Sequence, residues 1–339
     1  MKKYILLWAF TFGVLFAGCS EKKPLLSEEK NEVQETEATP FPTLAPDWSN
    51  WFGHPGASSF GMSVNLFDKE DRVFGEWTVI SGDAIEAKLV YQLALDELKE
   101  YGEAETSVIV TVNDVVCDFE LSGQRSENGI LTTDKVINQE ITDSLLITDC
   151  TLNEGENKLG IYLAVYFPQI GKVVPSNYIR KFQAECSRVQ TDAELCGTER
   201  DLEFSVTTTD GMEEREIKAE LRKGNDFFFQ QLSFDSSTRC TTIPWDGEMG
   251  IEFRNRGGST GETPMEREVL LLVLKNGEVM PIQGDKSVYL CSVSEQDLRL
   301  NIPLDVKAKQ GEYAHMALVY FGLDREGDTS FSDRLFYFQ

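Results

Sequence analysis

Histidine is scarce in this chain of 339 residues: there are two, His54 and His315. Zinc centres and Ser/His/Asp machinery both depend on imidazole, so the composition weighs against both before any motif is sought. Basic side chains are also few, 32 against 57 acidic, for a net charge of −25. Nucleic acids and anionic membrane surfaces are bound by clustered Lys and Arg that displace counterions, and no basic run is present. Ser58, Ser59 and Ser259 lack the G-x-S-x-G setting of a nucleophile elbow, and the loop Arg256-Gly-Gly-Ser-Thr-Gly261 lacks the lysine of a P-loop. No apolar run reaches the about 20 residues that a membrane-spanning helix requires. What is present is a 41% hydrophobic chain, too apolar to stay disordered and long enough for two domains.

The N-terminus carries an address. Lys2 and Lys3 precede an apolar run from Tyr4 to Ala17, the charged and hydrophobic regions of a secretory signal. The run ends in Leu15-Phe16-Ala17-Gly18-Cys19-Ser20. In this the sequence resembles the lipobox of bacterial lipoproteins, with Phe16 standing where that class prefers leucine. The resemblance implies cleavage after residue 18, diacylation of Cys19 and anchorage to the lipid bilayer on the extracytoplasmic side. Two or three acyl chains suffice for stable anchorage at about 0.8 kcal/mol per buried CH₂. Cleavage would remove Lys2 and Lys3, leaving 30 basic against 57 acidic side chains, about −27, so repulsion would hold the body off an anionic surface.

Residues 19–47 read as a tether: glutamate-rich, with Pro24, Pro40, Pro42 and Pro46 and no sustained period of 2 or 3.6. After Trp48 the chain changes to short apolar runs punctuated by Asn-Asp, Asn-Gly and Gly turns, the pattern of antiparallel strands. This pattern occurs twice. Ser63–Asp68 returns as Gln230–Asp235, and Ser107–Asp114 as Leu270–Gly277. Leu163-Ala-Val-Tyr-Phe167 returns as Ala317-Leu-Val-Tyr-Phe321, and Ser176–Gln183 as Ser332–Gln339. The expected fold is therefore all-β: two tandem antiparallel β-sandwich modules from an internal duplication, 48–184 and 200–339, joined by 185–199. They resemble immunoglobulin-like or fibronectin-like modules in architecture, without the Cys-Trp-Cys core of antibody domains. Leu89–Tyr101 could be helical by its apolar spacing; a strand through Leu93 is preferred because its repeat partner, Ile251–Phe253, runs into a Gly-Gly loop. Met212–Lys223 is rich in helix formers and stays open.

Beyond Cys19, six cysteines remain: Cys117, Cys150, Cys186, Cys196, Cys240 and Cys291. An even number in an exported chain is compatible with disulfides, and their grouping suggests Cys117–Cys150, Cys186–Cys196 and Cys240–Cys291, with buried thiols as the alternative. Cys117 aligns with Met280 in the second copy. A metal cluster is disfavoured, since there is no CxxC and no nearby histidine. Three acidic loops, Asp68–Asp71, Asn153–Asn157 and Asp324–Asp333, offer oxygen ligands suited to weak Ca²⁺ binding, but none has EF-hand spacing, and solvated turns are the simpler reading. His54 reads as a turn residue and His315 as a half-buried strand residue.

Trp48, Trp51 and Phe52 stand where the tether meets the first module, and could stack on a ligand such as a sugar ring; packing against the core is the competing role. Phe227-Phe228-Phe229 has the same two readings. A carboxylate-pair hydrolase would need a deep pocket with converging acids. The sequence thus points to a non-enzymatic envelope lipoprotein that binds or scaffolds an envelope protein or polysaccharide. The alternative is a carbohydrate-binding or solute-recognition lipoprotein serving a transporter or degradative system.

Overall fold

Alternation sets the outer strands of the first module. In β1 (Met62–Asp68) Met62, Val64 and Leu66 turn inward while Ser63 and Asn65 face solvent, and β3 (Ile85–Leu93) buries Ile85, Ala87, Leu89, Tyr91 and Leu93. Period-2 burial of this kind marks a sheet with one face on a core. The computed structural model describes residues 62–82, 84–93, 103–136, 139–185, 187–189, 205–208, 211–213, 215–216, 227–229, 240–246, 248–254, 267–293 and 297–339. Its strands form four sheets, two per module, as the sequence pattern leads one to expect.

In module 1, β1 and β3 join β9 (Ile141–Ile147), β6 (Glu120–Leu121) and β7 (Gln124–Arg125) in a five-stranded sheet, order β1-β3-β9-β6-β7. The facing sheet runs β2 (Val79–Ile80), β11 (Lys172–Ala184), β10 (Gly155–Phe167), β4 (Glu103–Val112) and β5 (Val115–Val116), with β8 (Ile130–Val136) also on β4. Module 2 repeats the second sheet strand for strand: β14 (Thr241–Ile243), β21 (Thr329–Phe338), β20 (Glu312–Gly322), β16 (Arg267–Lys275) and β17 (Glu278–Met280), with β18 (Val288–Val293) on β16. Its other sheet places β13 (Phe227–Phe229), β15 (Met249–Arg254) and β19 (Asp297–Leu304) in the positions of β1, β3 and β9. Here β12 (Ser205–Thr208), at the start of the module, sits beside β19 where β6 sits beside β9.

The hairpin turns fix the equivalence of the two copies. Asn113 and Asp114 have φ of 52° and 65°, and Asn276 and Gly277 have 53° and 93°, the paired positive values of a type I′ turn. Each leading asparagine clamps the neighbouring strand in the same way. The Asn113 side chain accepts the Lys158 N–H at 3.0 Å, and that of Asn276 accepts the His315 N–H at 2.8 Å. Lys158 therefore corresponds to His315, and Gly160 to Ala317. The sequence alignment had put Leu163 opposite Ala317. That slip is three residues, an odd number, and exchanges the two faces: Tyr166 lies between the modules, whereas Tyr320 lies inside the second sandwich. In the last block Phe182 corresponds to Phe336 rather than Phe338, a slip of two that keeps the face.

β10 and β20 break the alternation, with burial almost unbroken along Leu159–Phe167 and Ala314–Gly322. Continuous burial means that both faces are covered. One face fills each sandwich; the other packs module against module, joining Ile109, Tyr162, Ala164 and Val173 to Leu270, Leu272, Val319 and Phe321. Tyr162 meets Phe321 with centroids 5.4 Å apart. The arrangement is a four-layer stack within one compact unit, Ala45–Gln339. It has a pseudo-twofold relation: Lys158 Nζ reaches the Leu323 carbonyl at 3.4 Å, and the equivalent pair, His315 and Tyr166, stacks at 5.5 Å. His315 is thus fully buried between the modules rather than half-buried on a sheet surface.

No disulfide joins Cys117 to Cys150 or Cys240 to Cys291; this corrects the expected pairings. All four are buried, and Cys117, Cys150 and Cys291 lie in the sandwich cores as small apolar fillers, a role that cysteine serves well. The Cys117 thiol donates to the Val115 carbonyl at 3.2 Å. Cys19, Cys186 and Cys196 lie outside the described residues, as do His54, Arg256–Gly261, most of Met212–Lys223 and the tether.

Candidate functional site

The aromatic cluster expected at the start of module 1, Trp48, Trp51 and Phe52, also lies outside the described residues. Of Phe227–Phe229, Phe229 is buried in the module 2 core and meets Phe336 edge-on at 5.4 Å, which is a packing role. The acidic loops divide. Asn157 closes Asn153–Asn157 by accepting the Asn153 N–H at 2.7 Å and donating to the Asn153 and Gly155 carbonyls. Asp324–Asp333 is engaged by module 1, through Asn177, Arg180 and Lys158. Among the described residues no group of three His, Cys, Asp or Glu side chains could hold a metal ion.

Among the described residues of module 1, exposed large apolar side chains gather in the connection from β1 to β3, with Val115 on β5 a further one. Between Val73 and Val79 the chain alternates sharply: Phe74 and Thr78 are buried, while Val73, Val79 and above all Trp77, at 94% exposure, face outward. Phe74 is held by its N–H to the Leu66 carbonyl at 2.8 Å and meets the Phe182 ring at a tilt, centroids 5.5 Å apart. Thr78 accepts the Gly75 N–H at 3.0 Å and, through its carbonyl, the Gln183 N–H at 2.9 Å. The outward residues thus sit on an anchored segment.

The same connection borders a cleft of about 440 Å³ lined by Asp68, Glu70, Arg72, Thr78, Ser81 and Glu86 among others, though not by Trp77. Asp68 organises its floor. Its Oδ1 accepts the N–H groups of Glu70 at 2.8 Å and Arg72 at 3.0 Å, and its Oδ2 receives the Arg72 Nε at 2.8 Å. Burial works against ionisation of this carboxyl, but the Arg72 N–H, its guanidinium and the Glu70 N–H together hold it below the ordinary carboxylate value. It is therefore a fixed anion and unsuited to donating a proton. The other end of the guanidinium meets Glu70 Oε2 at 3.1 Å. The wall that results is a row of carboxylate acceptors and guanidinium donors held in register.

Sequence reasoning passed over Trp77, although Gly75-Glu76-Trp77 was a visible signal: a large aromatic in a turn sequence between strands. The duplication sharpens its meaning. Gln183 and Tyr337 are equivalent, and they pair with Val79 and Thr242, so Thr78 corresponds to Thr241 and Trp77 to Cys240. Cys240 is buried. The fold is satisfied by a small inward residue at this place, and the outward indole is an addition of module 1 alone.

No family model matches the chain, and no curated protein matches it. Solved structures similar to it include the C-terminal domain of the Streptococcus agalactiae AgI/II polypeptide BspA, at 10% identity over 82% of this chain and 100% of that one, TM-score 0.22. The major pilin subunit BcpA of Bacillus cereus matches at 8% identity over 81% of this chain and 66% of that one, TM-score 0.24. Red sea bream transglutaminase matches at 6% identity over 83% of this chain and 31% of that one, TM-score 0.20. At such TM-scores, and because β-sandwiches host many functions, these similarities assign none to this chain.

Proposed function

We propose that the chain is a non-enzymatic binding lipoprotein of a bacterial cell envelope. Acyl chains on Cys19 hold it to the bilayer, residues 19–47 tether it, and the Trp77 surface of module 1 receives an envelope protein or polysaccharide. The observation that carries the reading is the 94% exposure of an indole on an anchored segment, at a place where the second copy buries a cysteine. Trp77 does not stand alone, since Val73 and Val79 of the same segment are exposed as well, and grouped exposed apolar side chains mark contact surfaces where single ones do not. The lipobox resemblance supports the anchor, and the charge of about −27 after cleavage supports a body held away from anionic surfaces.

The test uses two variants of the full chain. Cys19→Ser should abolish incorporation of radioactive palmitate and release the protein to the soluble fraction. Trp77→Ala in that soluble form should fold normally but lose whatever envelope component the parent retains in a pull-down. Retention that is indifferent to Trp77→Ala would refute the assignment of the surface, and absence of acyl label on the unmutated protein would refute the anchor.

A further inference from the structure

Val73, Trp77 and Val79 turn outward, at 67%, 94% and 53% exposure, from a segment whose Phe74 and Thr78 are buried. Whatever covers this surface must itself be apolar, and an indole is best met by another aromatic ring. It must also carry no negative charge, because exposed Glu70 and Glu76 belong to the same connection.

The chain that leads into β1 contains such a segment. Trp48, Trp51 and Phe52 stand 10 to 14 residues before Met62, and Trp48–Gly61 contains no Asp, Glu, Lys or Arg. β1 begins at Met62, and Phe67 bridges to Val73, so the surface starts five residues along the strand, about 17 Å from Met62 at about 3.4 Å per residue. A Gly/Ser-rich chain of 10–14 residues spans roughly 16–22 Å, and the intervening Gly53-His-Pro-Gly-Ala-Ser-Ser-Phe-Gly61 has that composition. Reach and span coincide. Under that condition the effective concentration of a tethered segment is greatest, in the millimolar range for short linkers.

A second copy fits the surface less well. A specific interface between chains uses about 20–30 residues a side, far more than this patch offers, and mature copies at about −27 each repel one another. Module 2 buries Cys240 at the equivalent place and leaves nothing there to cover.

Resting on the binding reading above, we propose that residues 48–52 dock on the Val73, Trp77 and Val79 surface of their own chain, aromatic rings against the Trp77 indole, and that an envelope partner binds by displacing them. The fraction of time the segment covers the surface then sets both the shielding of Trp77 and the loss of partner affinity.

The experiment exposes the full chain carrying Cys19→Ser to hydroxyl radicals and reads oxidation at Trp77 by mass spectrometry. The comparison is the same chain with Trp48→Ser, Trp51→Ser and Phe52→Ser together. A surface covered half the time or more makes Trp77 oxidise about twofold or more slowly in the parent, at every protein concentration. Trp245, half-exposed on module 2, should oxidise alike in both. Trp51→Ser alone should be intermediate, which separates loss of docking from loss of fold. Equal rates at Trp77 in parent and triple variant overturn the docking, and shielding that fades on dilution overturns it in favour of a second copy. The pull-down judges the binding reading separately. Retention that depends on Trp77 should rise in the triple variant; retention that stays level or falls overturns the displacement. If Trp77 is shielded yet no retention depends on it, the docking stands and the partner surface falls.

Discussion

Asn177, buried on β11 of module 1, accepts the N–H of Gly327 in module 2 at 2.7 Å. Through its amide it donates to the carbonyls of Gly322 at 3.2 Å and Arg325 at 3.0 Å. One side chain thus terminates three backbone groups of the loop between β20 and β21. Asn177→Ala leaves all three without that partner, and the bond to the Gly322 carbonyl is a fully buried one. The expected loss is about 2–4 kcal/mol in urea unfolding, since an orphaned buried polar group costs about 1–3 kcal/mol. The neighbouring Arg180–Glu326 ion pair is half-exposed, and Glu326→Gln should cost under about 1 kcal/mol. Equal effects of the two substitutions would show that Asn177 does not fasten the modules.

Gly277 closes the opposite end of the same contact. Its φ of 93° favours glycine, and a Cβ there would run into the Glu105 carboxylate and the Tyr166 ring of module 1. Gly311, at φ 80°, has open space where its Cβ would go. Gly311→Ala should therefore carry only backbone strain, about 1 kcal/mol, whereas Gly277→Ala adds a clash and should cost about 2 kcal/mol or more. Thermal unfolding of the two variants compares them directly. Equal shifts would mean that the modules yield at Gly277.

Two titrating groups in the inter-module region oppose each other. Burial pushes the carboxyl of Asp333 up to about 6 from 3.8, against the pull of Lys172, its own N–H, Arg334 and the Val173 N–H. Its contribution to stability is full below about pH 4 and is lost as pH rises through about 6. Burial lowers His315 to about 4 from 6.5, so its contribution is full above pH 6.5 and is lost as pH falls through about 4. Glu105, Glu278, Asp134 and Tyr166 surround the same end, and burial raises the Glu105 carboxyl as well. Across pH 6.5 to 4 the two groups act in opposite directions, each on the order of 3 kcal/mol at 1.36 kcal/mol per pKa unit. Asp333→Asn should stabilise the protein at pH 7.5 and expose a fall in stability on acidification. His315→Phe, which keeps the stack on Tyr166, should expose a rise instead. Urea midpoints from pH 4 to 8 read both; parallel profiles for the two variants would contradict the assignment.

Strand content and the doubling of the chain were legible in the sequence because period-2 alternation and type I′ turn residues are local signals. Asn113-Asp114 and Asn276-Gly277 announced their hairpins, and Leu89–Leu93 proved to be the strand that its repeat partner suggested. The packing of module on module was written there too, in the unbroken apolar runs of β10 and β20, but a short apolar run reads the same whether one partner sheet or two will cover it. Tyr166-Phe167 and Tyr320-Phe321 looked equivalent because the residue types agree. Only the hydrogen bonds of Asn113 and Asn276 reveal the three-residue offset that sends Tyr166 outward to His315 and Tyr320 inward. Trp77 was half legible: an aromatic in a turn sequence between strands suggests an outward place, but the degree of exposure depends on which residues the rest of the chain covers, and no local pattern encodes that.

The cysteines give the last test. Cys117 packs where module 2 has Met280, each paired at the same point of its hairpin: the Cys117 N–H meets the Val110 carbonyl, and Met280 lies opposite Val273. A position filled by methionine in one copy and cysteine in the other is defined by apolar volume, not by a bond to a second sulfur. Burial also drives the Cys150 thiol up to about 11, with Arg188 opposing and Asp149 adding to the shift, so little of it is thiolate at neutral pH. Alkylation of the purified protein under denaturing, non-reducing conditions should therefore modify Cys117, Cys150, Cys240 and Cys291, and the native protein should resist the same reagent at those four sites. Cys117→Met, which copies module 2 but adds two carbons to a fully buried site, should cost about 1–3 kcal/mol, as small-to-large core exchanges do. A Cys117–Cys150 cross-linked peptide in the digest of protein isolated from the envelope would restore the disulfide reading and overturn this one.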